Sequence, residues 1–147
     1  METLRYSAKR HVEGQLVYVL HTRTDERWMH LEDVPSRALL AGEIHELALS
    51  INDDLKPTAG VRDVVYIGFF EITVAGIADV GDEVWAGDVH LGDLAGFDFV
   101  HMPNHLNVVL STNQAATGAE MGFDVGTSIR FRTPEGSVLP NVGPRDA

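Results

Sequence analysis

Between Val64 and Thr133 the chain sets short runs of β-branched and aromatic residues between turn signals, and this pattern restricts the fold more than any other feature. The longest run is Val64 to Val74. Others follow at Glu83 to Leu91, Leu94 to Phe97, Leu106 to Thr112 and Ser128 to Thr133. Turn signals fall at Gly76, Val80-Gly81-Asp82, Leu91-Gly92-Asp93 and Thr117-Gly118. Short strands at such close intervals favour a small antiparallel β-barrel or curled sheet over a parallel α/β sheet. Upstream, Leu4 to Arg10 and Gln15 to Arg23 read as two more strands, with Glu13-Gly14 as a hairpin turn. Leu16 to Leu20 is apolar on both faces, the mark of a strand covered on both sides.

One segment reads differently. After Pro35, Ser36 is a suitable N-cap, and Leu40, Ile44, Leu47 and Ile51 recur at helical spacing. Gly42 weakens that helix by about 1 kcal/mol. Glu43 and Glu46 fall on its wetter side, and His45 takes a structural role. The expected class is therefore mainly β (α+β), with one main helix. Residues 1–133 form a single β-rich domain. The tail 134–147 holds three prolines and two glycines and is expected to be extended or flexible.

The 147 residues are enough to bury a core without staples, and 44% apolar with 22% charged residues is an ordinary globular balance. The chain contains no cysteine, which excludes disulfides, thiolate zinc sites and cysteine nucleophiles and fits a cytoplasmic protein. No signal peptide and no bilayer-spanning apolar run is evident. Twenty-two acidic against eleven basic residues leave a formal charge of −11, so neither nucleic acid nor an anionic membrane is an expected partner. Small β-sheets associate through their edges, so a homodimer is expected.

Chemistry concentrates in Gly96 to Asn107. Asp98, His101, Asn104, His105 and Asn107 bring one carboxylate, two imidazoles and two carboxamides into ten residues around Pro103. Alternation on a following strand places His105 and Asn107 on one face. Asp98, three residues before His101, can orient that imidazole and raise its basicity. Glu71, on a strand face with Phe69 and Thr73, is a carboxylate among aromatic residues and a candidate acid. Trp85 and Phe69 are candidate walls of a binding pocket. A rival arrangement is a metal centre of His90, His101 and His105 with Asp98 or Glu71. Phosphate-binding glycine loops and the nucleophile elbow of serine hydrolases are both missing from the sequence.

The string Gly-Phe-Asp-x-x-His-Met-Pro-Asn-His-x-Asn resembles that of a family of small bacterial proteins of largely uncharacterised function, over about Gly68 to Leu110. In size and in its histidine–carboxylate inventory the chain also resembles small enzymes of polyketide–tetramate biosynthesis. These dehydrate a chain and close a macrocycle by Michael-type addition. The residue roles come from the residues themselves. The expected function is a cofactor-free, metal-free lyase or cyclase acting on an apolar small molecule. His101 backed by Asp98 is the base, His105 or Glu71 the acid, and Asn104 and Asn107 hold the enolate oxygen. The alternatives are a metal-dependent enzyme at the histidine cluster, a non-catalytic carrier of apolar molecules, and a structural or assembly protein.

Overall fold

The run that dominates the sequence becomes one continuous strand, Val64–Val74, and the rest of the fold is arranged around it. The computed structural model describes residues 8–24, 29–51 and 55–134. Twelve strands follow in chain order: β1 (Val12–Val19), β2 (Arg23–Thr24), β3 (Met29–His30), β4 (Ser36–Leu39), β5 (Ile44–Ser50), β6 (Gly60–Val61), β7 (Val64–Val74), β8 (Gly76–Asp79), β9 (Glu83–Ala86), β10 (Val89–Asp98), β11 (Asn107–Ser111) and β12 (Ser128–Arg132). Eight of them form one sheet in the order β1-β12-β9-β10-β11-β5-β7-β2, and β1 also pairs with β7. The sheet therefore curls nearly to closure. It is mixed rather than antiparallel throughout, because β11 runs parallel to β5. Two small ribbons, β3–β6 and β4–β8, complete the fold.

Among the described residues there is no helix, and the expected one is a correction. Its segment forms β4, a turn through Gly42 at φ 94°, and β5. Burial explains why. Leu40, Ile44 and Ile51 of the apparent helical stripe are 57%, 45% and 52% exposed, whereas Leu39, Ala48 and Leu49, which lie off it, are fully buried. A strand between β7 and β11 hides both of its faces, and a helix with one apolar stripe could not.

Glu13 and Gly14 make no hairpin turn but lie inside β1. Gly14 is there because the Glu71 carbonyl of the neighbouring strand occupies the space of a Cβ. Likewise Leu91-Gly92-Asp93 is strand, not turn. Gly92 sits at a register shift in β10 where the Ser111 carbonyl crowds it. Gly76 opens β8 rather than ending the pattern, and the run Glu83 to Leu91 is split by a tight turn with Gly87 at φ 57°. Residues 8–10 are not in a strand, and the expected strand's remainder, like most of the tail, lies outside the described residues.

The interior of the curl is packed by Leu16, Leu47, Ile67, Phe70, Phe97 and Phe131, among others. Each such side chain contributes roughly 1.5–3 kcal/mol on burial. A second cluster lies on the outer face of β5, β7, β10 and β11. There Met29, Leu31 and Val61 of the β3–β6 region cover Ala48, Tyr66, Ala95 and Val109. That covering ribbon is fastened by the Glu32 amide donating to the Phe97 carbonyl at 2.8 Å.

Candidate functional site

Alternation along β5 sends neighbouring residues to opposite faces. His45 follows Leu47 and Leu49 towards the interior, and Glu46 follows Ala48 to the outer face. The register sets Glu46 opposite Asn107 of β11 and Phe69 of β7. Asn107 is in turn opposite Asp98 of β10, and Phe69 opposite Tyr18 of β1. Matched side chains share a face, so Asp98, Asn107, Glu46, Phe69 and Tyr18 form a row across the outer surface.

The histidine-rich segment leaves β10 at Asp98 and returns beside this row at Asn107. Asp98 holds its start: Oδ1 accepts the Val100 amide at 2.7 Å and Oδ2 accepts the His30 amide at 3.1 Å. The Met102 amide donates to the Phe99 carbonyl, the Asn104 amide to the His101 carbonyl, and the Met102–Pro103 peptide is cis. β5 holds the end. The Leu106 amide donates to His45 Nδ1 at 3.0 Å, and the Glu46 amide donates to the Leu106 carbonyl at 3.0 Å.

So held, His105 meets Phe69 edge to face, with ring centroids 5.0 Å apart, and His101 at 4.9 Å. Its Nε2 lies 3.7 Å from Glu46 Oε1, and the two side chains are only 12% and 10% exposed. One donor atom each from Glu46, His101 and His105 falls within 4.8 Å of the others. Asn104 Nδ2 donates to His105 Nδ1 at 2.9 Å, which leaves the proton of the neutral ring on Nε2, facing the carboxylate. A carboxylate beside two imidazoles can hold and pass a proton or share a cation.

Of the residues singled out from sequence, His101, His105 and Asn104 come together. Asp98 and Asn107 stand in the adjoining row. The carboxylate brought to the imidazole pair is Glu46, while both oxygens of Asp98 receive backbone amides. Asn107 is fully buried, and among the described residues neither its Nδ2 nor its Oδ1 has a hydrogen-bond partner. Glu71 lies two residues beyond Phe69 on the same outer face, opposite Gln15 and Ile44.

His90 is elsewhere. It pairs with Trp85 towards the opposite end of β10, its ring stacked on the indole at 5.1 Å and its Nε2 3.0 Å from Asp93 Oδ1. Arg132 lies over the same indole, whose N–H donates to Glu83, so Trp85 belongs to a surface stack. A cleft of about 730 Å³ at that end is lined by His90, Asp93, Thr112 and Gln114, but not by Trp85 or the Glu46 cluster. The acid–base groups that converge, Glu46, His101 and His105, lie outside this cleft.

His45 is a clamp. Its Nδ1 accepts from Leu106, so its Nε2–H donates to Glu43 Oε1 at 3.0 Å. Burial pushes the Glu43 carboxyl up, but the bonds from His45 and the Leu40 amide outweigh it and hold the group below its ordinary value.

Glu46 is the residue that sequence reasoning missed as a site group. Reading residues 44–50 as a strand is what reveals it. From His45 to Ser50 that strand is buried on both faces, so a carboxylate within it must be sheltered and needs a partner.

Residues 6–132 match a family model described as a family of unknown function (DUF6917). No curated protein and no solved structure matches the chain.

Proposed function

We propose that this chain, which belongs to DUF6917, a family of unknown function, is a lyase or cyclase that moves protons on an apolar small molecule at Glu46, His101 and His105. The convergence of a sheltered carboxylate with two imidazoles against Phe69 carries this reading. The substrate class follows from the surroundings. Tyr18, Ile44, Val100 and Met102 are all exposed around the row and on the histidine loop, an apolar rim beside a polar centre. The type of reaction follows the resemblance to small enzymes that dehydrate and cyclise polyketide–tetramate chains.

In the proposed reaction His101 removes the proton α to a carbonyl. His105, as an imidazolium beside Glu46 with the Asn104 amide turned so that its Oδ1 accepts from Nδ1–H, protonates the β-hydroxyl, which leaves as water and gives a conjugated alkene. A nucleophile of the same chain then adds at the β-carbon, giving its proton to the now neutral His105, and the α-carbon takes its proton back from His101, which restores both imidazoles. Asp98 and Asn104 are positioning residues, the first for the loop and the second for the His105 ring. Glu71 stands at the rim.

The test uses a panel of β-hydroxyacyl thioesters with a distal hydroxyl, incubated in D2O. Mass spectrometry reads loss of water and deuterium at the α-carbon. Wild type should show both, and Glu46→Gln and His105→Gln should each lose at least about a hundredfold. Equal rates in folded variants would exclude these groups from the chemistry.

A further inference from the structure

We propose that Glu46, His101 and His105 bind one divalent transition-metal cation, of the zinc or iron(II) class. This rests on the reading that the cluster is the reactive centre. Two imidazoles and one carboxylate form a donor set that suits such ions and leaves coordination positions open for water or substrate.

Spacing favours it. Two atoms bonded to one zinc ion at about 2.0–2.1 Å and a tetrahedral angle are roughly 3.3–3.4 Å apart. His105 Nε2 and Glu46 Oε1 are 3.7 Å apart, close to that separation and beyond a hydrogen bond between them. Two of the three donors are also held firmly. Glu46 is fixed in the middle of a sheet between β7 and β11, and both polar backbone groups of Leu106, next to His105, are tied to β5.

Two neighbours fit as well. Turning the Asn104 amide over lets its Oδ1 accept from His105 Nδ1–H, which frees the Nε2 lone pair and fixes the ring, a common outer-shell arrangement. Independently, the Asn107 amide is buried beside Glu46 with both polar atoms unpartnered. Such a group is costly unless a ligand of the site completes its bonding. When bound, the cation would polarise a substrate carbonyl, and its water would take over proton transfer from an imidazole.

The test titrates metal-stripped, full-length protein with zinc chloride by calorimetry, and with cobalt(II) while visible absorption is followed. The expected result is one equivalent per chain. Glu46→Gln and His105→Gln should each weaken zinc binding by about a hundredfold or more, and Asn104→Ala by about tenfold. His101→Gln, on the loop, should match the first two and covers the case in which a variant of a buried position misfolds. His90→Gln should bind as wild type. Absence of saturable binding, or full affinity in folded His101→Gln, overturns the proposal. Two outcomes separate it from the reading it rests on. If stripped protein turns over normally and zinc shows no saturable binding while Glu46→Gln loses turnover, the cation falls and imidazole chemistry stands. If zinc binds stoichiometrically through all three residues but the thioester panel is untouched, the site stands and the proposed reaction falls.

Discussion

His45 fastens the loop at Leu106: its Nδ1 accepts the Leu106 amide at 3.0 Å from the buried side of β5, while Glu46, the next residue, faces His105 on the other side. One strand thus supplies both the clamp and the carboxylate of the cluster. His45→Phe should leave the Leu106 amide buried without its acceptor and cost about 1–3 kcal/mol in urea denaturation. It should also lower turnover, because His105 shifts with its neighbour. An unchanged midpoint would show that the loop is held by other contacts.

The same clamp gives an acid signature through Glu43. Its folded carboxyl is held below the ordinary value of 4.5, so the folded state binds this proton less readily than the unfolded chain. The stability it contributes is therefore present above about pH 4.5 and is lost as pH falls through the lower, folded value. Glu43→Gln should flatten the stability–pH curve in that acid range and leave it parallel to wild type at neutral pH. Denaturant melts at several pH values would check this.

A second buried ionic group lies far from the site in sequence. Lys9 Nζ donates to Asp79 Oδ2 at 2.8 Å and to both oxygens of Asp82, at 2.9 and 2.7 Å. Burial disfavours charge on Lys9, but the two carboxylates outweigh it and its folded value lies above 10.5. That stability is present below pH 10.5 and lost as pH rises through the folded value. Asp82 shifts in the unfavourable sense, upwards, because burial exceeds the pull of the Asp79 amide and Lys9. The ion pair is thus not equally favourable to both partners: it favours the charged form of Lys9, while at Asp82 desolvation outweighs it. Lys9→Met should destabilise by about 3–5 kcal/mol, leaving Asp82 buried without its cation. Adding Asp82→Asn should recover much of that loss, a double-mutant cycle that urea midpoints can close.

The strands that can be read from sequence are those with alternation and turn chemistry of their own. β7 was bounded residue for residue by its β-branched and aromatic content, and β12 to within one residue. The misread glycines, Gly14 and Gly92, share one cause. Each is required by a carbonyl on a strand distant in sequence, a tertiary demand that looks locally like a turn signal. The false helix has another. In residues 36–51 a chance spacing of apolar residues imitated a helical stripe, while the burial of both faces comes from β7 and β11. That error also hid Glu46. His101 and His105 were legible as a local cluster, but their carboxylate partner depended on a parallel pairing that no local pattern encodes.

Asn107 gives the last prediction, and its sign is opposite to that of an ordinary core substitution. Its amide is fully buried beside Glu46 with neither polar atom bonded, a state that costs roughly 1–3 kcal/mol. Asn107→Leu keeps the shape approximately and removes the unmet polar groups. Metal-stripped Asn107→Leu should therefore be more stable than wild type by about that amount in urea. Saturating zinc should narrow the gap, since the variant keeps the three ligands but loses the amide that the bound site would satisfy, and linkage then stabilises wild type more than the variant. A variant less stable than wild type under both conditions would mean that the amide is already satisfied, and its place in the site would be lost.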